Sequence, residues 1–323
     1  MSPHLNSLPL TCCVIFLLGL LSTPIPAEEP PMGNAILKID LDGSPLEVET
    51  TARLAGAIDR LTWKGQEFVD SFDHGRQIQS ASNFDAGFER MIPETFNPTE
   101  AGSRHDHTGP TSSSRLLKLK HDETTLRATT QMAFWLRPDE KSFGNPARNE
   151  TILSRHLLHK KITMAAHGLP HVIRFDITFT IPDDEGHHHA QFETLTGYMP
   201  PEFSRFLTWN PETGELKPID EGPGEQALPL IFALPEGTHA MGVYSPDQPS
   251  PGWEQAGYGR FSFETEQVVK WNCVHRVRSA DTPLAGGDYR YRCYLAVGDL
   301  DQVQAAFKAL HLLIGERSER PAD

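Results

Sequence analysis

The chain lacks the short motifs that mark several large enzyme classes. No Gly-x-Ser-x-Gly elbow, glycine-rich phosphate loop or dinucleotide fingerprint occurs in its 323 residues, which excludes serine-hydrolase, NTPase and Rossmann chemistry. No His-Glu-x-x-His segment or cysteine cluster announces zinc. Cysteine is scarce: Cys12 and Cys13 open an apolar N-terminal run, which leaves Cys273 and Cys293. Positive charge is short as well, with 29 Lys and Arg against 43 Asp and Glu, a formal net charge of −14. Such a chain is predicted to repel nucleic-acid phosphates and anionic membranes, although a local Arg cluster still allows an anionic substrate. Past the N-terminus no apolar run is long enough to span a bilayer.

The N-terminal run itself, CCVIFLLGLL, is followed by STPIPA and then acidic EEPP. That is the order of a secretory signal, so residues 1–27 are read as a signal peptide and 28–323 as a single domain, secreted or periplasmic and free of the membrane after cleavage. From AILKIDLDG onward, apolar and polar residues alternate in short runs separated by Gly, Pro and Asp. This predicts an all-β fold, a large antiparallel β-sandwich. Only DLDQVQAAFKALHLLIG has helical spacing, through Val303, Phe307, Leu310 and Leu313, which predicts a short C-terminal helix. Cys273 and Cys293 fall on two strand-like runs. Pairing of those runs makes a disulfide in an exported protein; otherwise both are buried free thiols.

Residues 73–114 interrupt the β pattern with a dense polar stretch anchored by Phe84, Phe88, Met91, Ile92 and Phe96. A connection of this length is usually functional or disordered, and the apolar anchors argue for function. It is read as the rim or floor of a polar ligand site.

Residues 56–79, GAIDRLTWKGQEFVDSFDHGRQIQ, resemble the early hairpin of the galactose mutarotase-like (aldose 1-epimerase-like) superfamily, in which a W-K/N-G-x-E turn leads into the binding face. The closing WNCVHRV…LAGGDYRYRCYLAVGDLDQV resembles that superfamily's last strands and final helix. The resemblance implies a β-supersandwich whose concave face holds a carbohydrate, with DHGRQ and NPTEAGS marking a distinct exported subfamily. The epimerase branch pairs a histidine acid with a late glutamate base. Neither is matched to a position here, so epimerase activity is not carried over.

Within this frame His74 and Arg76 share one strand face, an imidazole for proton transfer beside a guanidinium fork for a sugar carboxylate or hydroxyl pair, with Gln77 as a further clamp. Asn97 starts the NPTEAGS turn, whose crest displays Glu100 as a complementary base; Glu89 and Glu94 are rival carboxylates. Tyr198 is a candidate proton donor and Arg205 a candidate acid-group holder. Trp209 and Trp253, in Pro- and Gly-rich loops, are candidate stacking platforms, whereas Trp63 and Trp271 are read as core. No cofactor is predicted. A divalent metal has only loose signals: His105-Asp106-His107, the triplet at 187–189 in a solvated turn, and Asp183, Asp184 and Glu185 without calcium-loop spacing. The expected partner is a carbohydrate or polysaccharide. Its fate stays open between lyase, hydrolase and epimerase chemistry, plain glycan binding, and a structural envelope role with no ligand.

Overall fold

Period-two alternation is carried through the long strands. In Leu153–Thr163, Ser154, His156, Leu158, Lys160 and Ile162 point inward while Arg155, Leu157, His159 and Lys161 point outward. The computed structural model describes Met1 and residues 32–85, 90–250 and 256–318. Apart from Met1, the expected signal peptide therefore lies outside the described residues, as do Phe88, Glu89 and Trp253.

The described residues are all-β, as predicted. A small antiparallel sheet runs through Ala35–Leu41, Ser44–Thr50, Ile58–Trp63 and Gln66–Glu67. The main sheet has 15 strands. Its centre runs Gly287–Gly298, Val172–Ile181, Leu153–Thr163, Thr125–Phe134, Pro98–Thr99, Gln79–Phe84, His189–Met199 and Val268–Arg278, with Arg115–His121 also paired to Thr125–Phe134. Strands far apart in this order meet face to face. Phe179 and Tyr291 come from one arm and Phe192 from the other, with ring centroids 4.8 and 5.2 Å from that of Phe192. The sheet is thus folded over on itself into a sandwich with one continuous apolar core.

Helix Leu300–Ser318 begins with a reciprocal cap. Asp299 Oδ1 accepts the Gln302 N–H at 2.8 Å and Gln302 Oε1 accepts the Asp299 N–H at 2.9 Å. Val303, Phe307 and Leu310 then seal a second apolar cluster with Trp209, Ile231 and Tyr244. Phe307 sits so close to Gly242 that a Cβ there would lie 2.7 Å from its ring, so the position admits no side chain without movement.

The cysteines take one of their two expected alternatives, and one expectation changes. Cys273 and Cys293 lie on strands that do not pair: Val268–Arg278 lies between His189–Met199 and Gly257–Phe263, and Gly287–Gly298 between Val172–Ile181 and Ala240–Tyr244. Both are buried free thiols. The polar stretch 73–114 is also not a rim. It supplies Gln79–Phe84 and Pro98–Thr99 to the middle of the main sheet, and all six residues of Gln79–Phe84 are buried. A strand covered on both sides needs no polar alternation, and QSASNF has none.

His275 shows what this burial does to ionisation. Its Nδ1 meets Thr194 Oγ1 at 2.7 Å and its ring stacks on Tyr291 at 4.6 Å. Burial pushes its pKa down to about 3. The unfolded chain takes up this proton near pH 6.5, while the folded chain resists it until about pH 3. Stability is therefore lost as pH falls through that window, with a slope approaching about 1.4 kcal/mol per pH unit from this group. Urea denaturation of wild type and His275→Gln between those limits is expected to show a shallower acid slope in the variant.

Candidate functional site

The residues singled out in the sequence are mostly committed to the fold. His74 is fully buried, with Nδ1 2.6 Å from the His107 carbonyl and Nε2 3.0 Å from the Arg53 carbonyl. Neither ring nitrogen is left for a substrate. Gln77 is buried and donates to the His74 carbonyl at 2.7 Å; Asn97 is buried and donates to the Ser82 carbonyl at 2.6 Å. Arg76 sits 3.3 Å from Asp73 and donates to the Glu266 carbonyl at 3.2 Å. Tyr198 is half-buried nearby, its N–H directed at the Gln77 carbonyl at 3.4 Å, with Lys270 Nζ 5.2 Å above its ring. Burial pushes its phenol up.

Glu100 is not on a turn crest. It is fully buried, bonded to Lys160 Nζ through Oε1 and accepting the Ser80 N–H at 3.0 Å through Oε2. Trp209 is not a platform either, because the helix covers it, with Phe307 5.5 Å away. Arg205 is exposed at the start of strand Arg205–Trp209. Asp106 does not orient a histidine. Its Oδ2 accepts N–H groups of Ser103 and Ser113 at 3.0 and 2.8 Å.

A cluster that joins Glu185 and His187, each named separately among the loose metal signals, to His156 is better built. The turn at 182–188 lies against the end of Gln79–Phe84, held there by the Asp85 carboxylate, which accepts the His188 N–H at 2.9 Å and the His189 N–H at 3.0 Å. This carries His187 into the sandwich, stacked on Phe84 at 4.6 Å and edge-on to Phe96 at 4.9 Å. Its Nδ1 is 2.6 Å from the Asp85 carbonyl and its Nε2 3.0 Å from Glu185 Oε2. His156 reaches the same oxygen through Nε2 at 2.6 Å. Burial pushes the Glu185 carboxyl up, but the hydrogen bonds with His156 and His187 together outweigh it and hold it down to about 2. Burial lowers His156. Asp184 pairs with Arg155 at 2.8 Å, so the acidic turn does not converge as a calcium loop. Beside the cluster opens a cleft of about 800 Å³ whose walls include Phe96, Phe134, Arg148 and Arg155. The triplet at 187–189 read as a solvated turn, yet His187 is only 4% exposed. One signal was available: alternation in LSRHLLHKKIT places His156 and Lys160 on the inward face, where each needs a partner.

The outer face of the same strands carries a second feature. Lys120 lies directly opposite Arg127, and Arg127 directly opposite Lys161. Lys118 and His159 flank the next position, Thr129. These side chains line a cleft of about 410 Å³. Lys118, Lys120, Arg127 and Lys161 make no ion pair or side-chain hydrogen bond among the described residues. Asp176, in the same cleft, is already shared by Arg174 and Arg292 at 2.8 Å each.

No protein-family model and no curated protein sequence matches the chain. Solved structures similar to it include an aldose 1-epimerase-like protein from Klebsiella pneumoniae, at 9% identity and a TM-score of 0.42 over 87% of this chain and 92% of that one. An α-galactosidase from Lactobacillus brevis matches at 10% identity and 0.42, over 85% and 41%. An α-mannosidase from Enterococcus faecalis matches at 10% and 0.46, over 82% and 30%. The chain thus spans less than half of either glycosidase. All three neighbours are sugar-active proteins, and likenesses this distant carry neither a reaction nor a substrate to this chain.

The burial of Glu100 gives a direct test of its role. Glu100→Gln leaves the Lys160 ammonium in the core without its counter-charge, an expected loss of about 3–5 kcal/mol. Glu100→Gln combined with Lys160→Met, which keeps an acceptor for the Ser80 N–H, is expected to recover most of that loss in urea denaturation. A double variant as unstable as the single one would show that the pair is not the source of the effect.

Proposed function

We propose that this protein binds an anionic carbohydrate along the outer face of strands Arg115–His121, Thr125–Phe134 and Leu153–Thr163. The observation that carries the reading is the cross-strand row Lys120, Arg127 and Lys161. Like charges directly opposite each other in a sheet destabilise it. In a chain of net charge −14 the row meets one carboxylate in register, Asp176 opposite Lys161, and that carboxylate is held by Arg174 and Arg292 at 2.8 Å each. A uronate or sulfate group would relieve the row through charge-assisted hydrogen bonds. The acidic total disfavours nucleic acid as the polyanion, and the mutarotase-like character of residues 56–79 supports a sugar. From Lys161 to Arg155 the strand runs about 20 Å at 3.3 Å per residue, so an extended glycan would reach from the basic cleft to the His156–Glu185–His187 cleft. Binding rather than turnover is the reading, since His74 and Glu100 have their polar atoms engaged within the fold.

The test compares polyuronate and sulfated oligosaccharides with neutral glycans of equal length by calorimetry. Acidic glycans are expected to bind, and more weakly as salt rises. Lys120→Gln, Arg127→Gln and Lys161→Gln together should cost at least about tenfold in affinity, given about 1 kcal/mol or more per charged hydrogen bond lost. These side chains are at the surface, and Arg127→Gln alone is expected to raise stability by a few tenths of a kcal/mol at low salt. Equal affinity for neutral glycans, or unchanged affinity in the triple variant, would overturn the proposal.

A further inference from the structure

We propose that His156, Glu185 and His187 form a site for one divalent transition-metal ion, with zinc the best match to the ligand set. Each residue offers one ligand atom, and the three atoms lie within 4.8 Å of one another. The inference stands on this cluster alone and does not depend on the glycan reading.

Convergence carries the argument. His187 Nε2 lies 3.0 Å and His156 Nε2 2.6 Å from the same Glu185 oxygen, so two imidazole nitrogens and a carboxylate oxygen from two segments meet at one point. His187 Nδ1 is fixed 2.6 Å from the Asp85 carbonyl, which leaves Nε2 as the atom aimed at that point. Histidine ligands to metals commonly donate their second nitrogen to a backbone carbonyl, as His187 does to Asp85.

The rest of the cluster fits. His156 Nε2 faces the same carboxylate oxygen at 2.6 Å. Phe84 holds both rings, its centroid 4.6 Å from that of His187 and 4.9 Å from that of His156. Arg155 remains on Glu185 Oε1 at 3.3 Å and would steady the carboxylate from outside. Zinc bonds of about 2.0–2.2 Å set tetrahedral ligand atoms roughly 3.3 Å apart, so the two contacts to Glu185 Oε2 would open by about 0.7 and about 0.3 Å. Two imidazoles with one carboxylate suit zinc, whereas magnesium and calcium take oxygen ligands. The fourth position would face the cleft of about 800 Å³.

The experiment strips the untagged full chain with a chelator and titrates it with Zn²⁺ by calorimetry, with metal content measured by mass spectrometry. One equivalent is expected at a dissociation constant of about 1 μM or tighter, with a rise in Tm, because the ion binds the folded chain. Glu185→Gln and His187→Gln should each weaken binding at least tenfold, while His105→Gln with His107→Gln should leave it unchanged. Because the buried variants can lose their fold, Co²⁺ titration of wild type supplies a second readout: a four-coordinate nitrogen–oxygen spectrum without a thiolate band. No uptake by wild type, a thiolate band, or loss of binding in the His105/His107 variant would overturn the proposal. None of these results involves a glycan, so failure here and failure of the glycan reading are separable.

Discussion

The constraint on which the rest of the structure depends is the need to satisfy the backbone of a polar segment that runs through the middle of the sandwich. Gln79–Phe84 and Pro98–Thr99 complete the main sheet between Thr125–Phe134 and His189–Met199. Pro98–Thr99 is too short to ladder both neighbours along their length, so side chains complete the bonding. Glu100 takes the Ser80 N–H, Gln79 Oε1 takes the Ala101 N–H at 3.1 Å, and Asn97 gives to the Ser82 carbonyl. An unpaired buried N–H costs about as much as a lost hydrogen bond, and that cost is what these residues remove. Having placed Glu100 in the core, the fold must also neutralise it, and Lys160 does so from a strand two places away in the sheet order.

The same requirement shapes the histidine cluster. Asp85 ends the buried strand and accepts two N–H groups from the 187–189 turn. That turn would otherwise lie in solvent, as its Pro-Asp-Asp-Glu-Gly sequence suggests. With the backbone pinned there, His187 has no room except against Phe84 and Phe96, and its second nitrogen falls on Glu185. A structural carboxylate on one strand thus sets the orientation of a ligand-like imidazole more than one hundred residues later.

The strands and the C-terminal helix were legible because alternation and helical spacing are local properties of the chain, read without knowing what each face meets. The central strand QSASNF was not, since a strand covered on both sides carries no period-two signal. His74, Gln77, Asn97 and Glu100 drew attention as a polar concentration. That concentration was real, but sequence cannot distinguish polar groups aimed at a ligand from polar groups aimed at buried backbone. Trp209 was misread because its neighbours in sequence are loop-like, while its cover is a helix ninety residues further on. His156 and His187 come together from separate segments across a register fixed by Asp85, and nothing in either segment alone records the meeting.

Strand Leu153–Thr163 gives a physical way to separate the two kinds of polar group. Its inward His156 and Lys160 have their charge or hydrogen-bonding capacity met by Glu185 and Glu100. Its outward Lys161 lies between Arg127 and Asp176, and Asp176 pairs with Arg174 and Arg292 instead. Burial forces compensation, because a charge left alone in the core would unfold the protein. Solvent permits an uncompensated row, because water and salt screen it at modest cost. A like-charged row in a chain with surplus acid therefore answers no folding requirement, and relief by an outside anion is a sufficient reason for its place on the sheet. Inside the fold, His156 and His187 turn their Nε2 atoms onto one Glu185 oxygen, and that convergence of ligand atoms is what an outside cation would complete.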